Sequence, residues 1–319
     1  MSMGKVDIDK PKYDQSTYWG RCKHFFLLTN PANLLSTSSQ LDQAKDTVEK
    51  YRSGKLRSGQ SIDEVWKSKY LYDSAFHPET GEKQFLLGRM SAQMPMNTLL
   101  TAGMLIFYQS TKSVVFWQWL NQTFNATVNY TNRSGKTPIS KPELLTSYTL
   151  ATSGALGTAL GLNHLVKSMN PLIGRLVPLV AVAAANCINI PCMRRRELRD
   201  GVSLLDDQNH EVGVSKKAAV QGISNVVVSR ISMAIPGMTL TPLLIEYLEK
   251  SGFLKRYPHL TGPIQILSCA FILLFSTPMG CAFFEQISPI KVDKLEPEVK
   301  ESIKRAHPGM DTVYFNKGL

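Results

Sequence analysis

Two long stretches of this chain, Leu144–Val166 and Leu260–Phe284, contain no formally charged side chain, and that narrows the available folds more than any other feature. A helix needs about 20 apolar residues to cross the ~30 Å hydrocarbon layer of a bilayer. Three further stretches of similar length carry one charge each. Met94–Leu120 contains Lys112 and ends on Trp117 and Trp119; Pro171–Met193 contains Arg175 and is followed by Arg194, Arg195 and Arg196; Ala218–Ile245 contains Arg230. Aromatic and basic residues at the ends of apolar runs suit the lipid–water boundary. The expected fold class is an all-α membrane protein with about five transmembrane helices, near 94–120, 144–166, 171–193, 218–245 and 260–284. A soluble helical region over 1–93 precedes this transmembrane region of 94–285, and a polar surface tail over 286–319 follows it. Five spans would put the termini on opposite sides. The loops are basic on both sides, so they leave the orientation open.

The formal charge of +11 raises the question of nucleic acid, but the basic residues cluster beside apolar runs rather than along a soluble face. The bilayer is the expected partner, and nucleic acid is not. Cys22, Cys187, Cys192, Cys269 and Cys281 are odd in number and contain no C-x-x-C, so they read as small apolar packing residues rather than a disulfide or zinc framework. The histidines His24, His77, His164, His210, His259 and His307 lack ligand spacing, so neither a metal nor a cofactor is expected. The phosphate-binding, dinucleotide-binding, zinc-protease and nucleophile-elbow motifs of soluble enzymes are missing, and no enzymatic activity is expected. Asp7, Asp9 and Asp14 fit no acid-poor presequence, so any targeting signal is internal.

Residues 31–70 read as an amphipathic helical headpiece with Ser and Thr caps and a stop at Gly54. Gly157 and Gly161 share GxxxG spacing, which permits close helix approach in lipid.

Polar residues inside apolar stretches are the candidate site, because an unpaired polar group in hydrocarbon costs roughly several kcal/mol and must find a helix, water or a ligand. Asn186 and Asn189 stand in such a run before Pro191, either bonding another helix or meeting substrate. Arg230 is a mid-span charge that pairs either with a substrate carboxylate or, structurally, with Glu246 or a helix C-terminus. Pro236-Gly237 and Pro242 bracket Met238–Thr241 and predict a broken helix whose freed backbone groups meet a ligand. Asn97, Ser232 and Thr239 complete the substrate-binding set, with Pro191, Pro236 and Gly237 as helix-break or gating positions. Asn121, Asn125, Asn129 and Asn132 recur every three or four residues, so a helix would carry them as one carboxamide stripe: a solvated helix end or a surface for a zwitterion. Each also begins an N-x-[ST] sequon, relevant on a secretory route and silent in mitochondria.

The strings HPETGEK at 77–83, GRMSAQMPMN at 88–97, QWLNQTFNATVNYTNR, NCINIPCMRRREL and PGMTLTP resemble, in order and over nearly the whole chain, the sideroflexin family, and within it the type one and type three branch. Glu79, in the His77-Pro78-Glu79 loop, stands where the family pattern carries Asp, which keeps the carboxylate and displaces it by one methylene. The resemblance implies a multi-pass mitochondrial inner-membrane transporter that imports serine for one-carbon metabolism, with alanine and cysteine as further substrates. The alternative is a non-transporting membrane scaffold for assembly of respiratory or iron-handling machinery, docking through the N-terminal region. Oligomeric state, coupling ion and flux direction are not legible.

Overall fold

The computed structural model describes residues 6–55, 61–77, 80–107, 110–131, 141–166 and 171–318. Pro78, Glu79, Asn132 and the side chain of Arg175 lie outside the described residues.

The headpiece is helical as expected, and its helices begin where side chains can satisfy the first free backbone N–H groups. Thr17 caps α1 (Tyr18–Leu28), while Thr37 with Gln40 and Ser61 with Glu64 form reciprocal capping boxes on α2 (Ser38–Arg52) and α3 (Ile62–Ala75). Ile8, Val48, Val65, Trp66 and Tyr70 form its core. The headpiece is not separate from the apolar region. Cys22, Phe25 and Leu28 of α1 pack with Met90, Cys281 and Ala282, and Arg21 Nε donates to the Ala282 carbonyl at 2.8 Å.

The apolar region departs from the expected five helices. Its first stretch folds as two, α4 (Gln93–Phe107) and α5 (Thr111–Thr131), with Lys112 in the first turn of α5 rather than within a span. The two are antiparallel: Gly103 faces the Trp117 ring, and Gly88, just before α4, faces Thr131. At 1.5 Å per residue α4 is ~22 Å long, short of a full crossing. Then come α6 (Lys141–Val166), α7 (Pro171–Met193), the short α8 (Arg195–Asp200), β1 (Val202–Leu205), β2 (Glu211–Ser215) and α9 (Lys216–Lys250). The chain continues through α10 (Phe253–Arg256), α11 (Thr261–Cys281), β3 (Ile287–Lys291), α12 (Pro297–Ala306) and β4 (Thr312–Asn316). The long helices close a ring of neighbours in the order α4, α5, α6, α7, α9, α11 and back to α4. Among the described residues two segments, Lys216–Lys250 and Pro258–Cys281, are long and apolar enough to cross a membrane.

Close helix approach uses other residues than those expected. Ala151, Ala155 and Ala159 are buried and Gly154 meets Ile188 of α7, whereas nothing lies within 4 Å of the position a Cβ would take on Gly157 or Gly161. Spacing alone could not say which side of α6 faces a neighbour.

The polar tail is not a surface segment, and the fold is not all-α. The strands form an antiparallel sheet in the order β2-β1-β4-β3. Each contributing strand is too short and too polar to stand out in the sequence. Even so, β3 and β4 alternate inward Ile290, Val313 and Phe315 with outward residues, and α12 lays Ile303 on the same core beside Leu204 and Ala218. Glu296 ties the sheet to the start of α9, its Oε1 accepting from Lys217 N at 2.8 Å and its Oε2 from the Ser215 hydroxyl at 2.7 Å.

Candidate functional site

Inside the helix ring lies a cavity of about 610 Å³, walled by α4, α5, α7, α9 and α11, and extending out to the sheet. The antiparallel pairing of α9 with α11 gives its depth scale. Gly280 sits against Met233 and the Ser229 carbonyl, and Gly237 sits against Leu273. Arg230 therefore lies level with the last turn of α11 and not in mid-span, and the first turns of α9 extend beyond α11 toward the sheet. Glu246 lies ~24 Å further along the same helix and pairs with Lys250 at 2.8 Å, so it is not the partner of Arg230. Arg230 makes no hydrogen bond or ion pair among the described residues.

Beyond Arg230 the cavity is lined by amides. Asn121, Asn125 and Asn129 form the α5 wall, Asn97 and Gln93 the α4 wall, and Asn186 the α7 wall. Asn132, the fourth member of the stripe, lies outside the described residues. The helix that carries the three cavity-facing asparagines turns the sequons inward, and Asn121 is only 6% exposed, so glycans have no room there. Among the described residues several donors lining the cavity have no protein partner, namely Asn121 Nδ2, Gln93 Nε2 and the Ser229 hydroxyl. The Asn186 amide donates to its own helix at the Val182 carbonyl, 3.0 Å away, leaving Oδ1 without a partner among the described residues. The inner end is apolar. Leu100, Met104, Val182 and Met238 meet there and join Phe124 and Val128 in one buried cluster.

Of the residues picked from the sequence, Asn97, Asn186 and Arg230 line this one cavity and Asn189, Ser232 and Thr239 do not. Asn189 instead donates to Gln122 Oε1 on α5 at 3.1 Å, a bond between helices, and Thr239 donates to the Ile235 carbonyl at 2.7 Å. The expected break at Pro236-Gly237 is absent, because α9 runs through both residues and α7 runs through Pro191. In the turn before Pro236, which has no N–H to donate, the Met233 carbonyl accepts from the Ser276 hydroxyl at 3.2 Å. Gly237 serves contact instead, admitting Leu273 close to the α9 backbone.

Gln93, Ser229 and Lys317 escaped the sequence reading. Gln93 stands one residue ahead of the apolar run. Lys317 lies in the tail, where nothing in its neighbours marks it as buried, yet it is 3% exposed and lines the cavity mouth. Burial, with the cations of Arg194, Arg230 and Arg21 around it, brings its ammonium group down to about 8. Among the described residues no cluster of His, Cys, Asp and Glu could hold a metal ion.

A helical ring that carries membrane-length apolar helices and encloses a polar funnel defines a helical membrane protein. Residues 7–319 match the family described as Sideroflexins. The chain is 66% identical over 316 residues to Sideroflexin-1-3 of Drosophila melanogaster, covering 99% of this chain and 98% of that one. It is 54% identical over 314 residues to Sideroflexin-1 of Mus musculus and 53% identical over 314 residues to Sideroflexin-3 of Homo sapiens, in both cases over 98% of each chain. It belongs to the sideroflexin family. No solved structure matches it.

Proposed function

We propose that this protein is a carrier for small neutral amino acids, serine first, with alanine and cysteine as further substrates, and that it works in the mitochondrial inner membrane to supply one-carbon metabolism. The observation that carries this reading is the funnel that sets an unpaired guanidinium, Arg230, against walls of carboxamide and hydroxyl groups. Family membership supports a carrier role in the same direction.

The chemistry suits a zwitterion. A guanidinium binds a carboxylate through two parallel N–H donors, and carboxamide oxygens such as Asn186 Oδ1 accept from an ammonium group. The side-chain hydroxyl of serine would meet the unpartnered donors of Asn121 and Gln93. The carboxylates on the cavity wall, Glu197 and Asp200, lie at the sheet end, where Glu197 pairs with Arg194 at 2.5 Å and Asp200 with Arg199 at 2.7 Å. The middle thus offers no anionic partner for a cationic side chain. The apolar inner end, closed by Leu100, Met104 and Met238, leaves little room for a bulky one. Transport would require that cluster to part while the mouth closes.

The test is uptake of radiolabelled serine into liposomes holding the purified protein, with alanine, cysteine and a bulky amino acid as competitors. Saturable uptake blocked only by the small competitors is expected, and Arg230→Gln should abolish it at normal protein level. No uptake by correctly folded protein would move the reading to a non-transporting scaffold.

A further inference from the structure

Arg194, Arg196, Arg230 and Lys317 line the cavity and Arg21 lies close behind Lys317, and of these Arg194 and Arg21 have carboxylate partners within the protein. Arg194 pairs with Glu197 at 2.5 Å, and Arg21 with Glu285 at 3.6 Å. Arg230 and Lys317 have no carboxylate within ion-pairing distance among the described residues. Lys317 is the more unusual of the two, because a lysine that is almost fully buried is normally paired. Its Nζ reaches only neutral acceptors, Gln286 Oε1 at 3.4 Å and the Gly318 carbonyl at 3.3 Å, and these long bonds leave donor capacity unused.

Its backbone is fixed on every side. Lys317 N donates to the Gln286 carbonyl at 2.9 Å, and Arg194 Nη1 donates to the Lys317 carbonyl at 2.7 Å. On the α9 side Gly222 lets the chain pass so close that an added Cβ would stand 3.3 Å from the Lys317 Cα. A flexible lysine at a chain end would ordinarily turn to water. Here strand β4 and three anchoring contacts hold it under cover, lining the same cavity as Arg230. A half-buried and a buried cation lining one cavity repel each other, and an anion between them would offset that cost.

We infer that Lys317 is a second binding cation for the substrate carboxylate, brought by the C-terminal strand to the cavity that Arg230 also lines, so that the carboxylate is held between α9 and the sheet. This inference rests on the carrier reading above and deepens it. It assigns the polar end of the chain a direct part in substrate recognition. It also predicts that affinity for substrate depends on docking of β4.

The experiment measures serine uptake and its inhibition by ethanolamine, which keeps the amine and hydroxyl of serine but lacks the carboxylate, in liposomes holding full-length wild type, Lys317→Gln or Lys317→Arg. For Lys317→Gln the expected result is a serine KM raised at least about tenfold with the maximal rate changed far less, while inhibition by ethanolamine stays as in the wild type. Lys317→Arg restores most of the affinity. A melting curve in detergent confirms that each variant folds; should Lys317→Gln fail to fold, Lys317→Met makes the same comparison, and a folded Lys317→Met whose serine KM matches the wild type overturns the inference. A serine KM unchanged in folded Lys317→Gln also overturns it and leaves the carrier reading standing. Absence of uptake by the wild type overturns the carrier reading itself.

Discussion

Lys317 and Arg230 show how the same charge behaves differently once its surroundings are fixed. Lys317, buried at the cavity mouth, gives its proton up near 8, whereas a guanidinium has no comparable titration in that range. If the lysine holds carboxylate, the serine KM should rise as pH climbs through about 8, and Lys317→Arg should flatten that profile; uptake measured from pH 6.5 to 9.5 checks it. The other groups facing Lys317 are Arg21, Arg194 and the Cys281 thiol, with Glu197 and Glu285 holding the first two. The linked effect on stability has the opposite direction. The native value lies below the ordinary 10.5, so between about 8 and 10.5 the unfolded chain binds more protons and stability rises with pH, while the burial penalty is fully present below 8. Lys317→Met should therefore raise the melting temperature at pH 7 and do so less at pH 10. Asparagines in apolar runs were legible as candidates because hydrocarbon makes any polar group conspicuous. Their division between the cavity (Asn186) and a helix-to-helix bond (Asn189) depends on which neighbour each one faces.

At the scale of elements, the α4–α5 hairpin is the main departure from the sequence reading. Apolar character runs on through residues 94–120, so composition reads one span, but the chain turns back on itself and packs Phe107 parallel on Trp117, with ring centroids 6.0 Å apart. Gly103 makes this possible, since a side chain there would occupy the space of the Trp117 ring. Gly103→Val should destabilise the protein by about 1–3 kcal/mol through overpacking, and Trp117→Ala in the same chain should recover part of the loss. Thermal melts of the single and double variants in detergent decide it. The reversal is also what gives the site its amide wall, because it brings Asn121, Asn125 and Asn129 alongside Asn97. The sheet was missed for a related reason. Strands of four or five residues with one or two inward apolar positions carry too weak an alternation to be read without their partners.

For the whole molecule, the ring and its two polar attachments form one structure with a polar side and an apolar side. The headpiece packs on the end of α11, and the sheet sits on the start of α9 and that same end, so both chain termini lie on one face. This corrects the opposite placement that five spans would require. In sealed vesicles, protease should remove tags from both termini or from neither, and cleavage of only one would contradict the arrangement. What the sequence determined by itself was the environment of each segment. Uncharged runs of span length, basic residues at their ends, helix caps and family-specific strings depend on local composition and order, so they established a helical membrane protein of the sideroflexin family. What only the tertiary structure decided was adjacency: the turn between α4 and α5, the sheet built from separated strands, and the cavity where Arg230, Lys317 and the carboxamides meet. These groups stand far apart along the chain, and their meeting depends on which helix faces pack and which stay open, a choice made by long-range burial that no local pattern encodes.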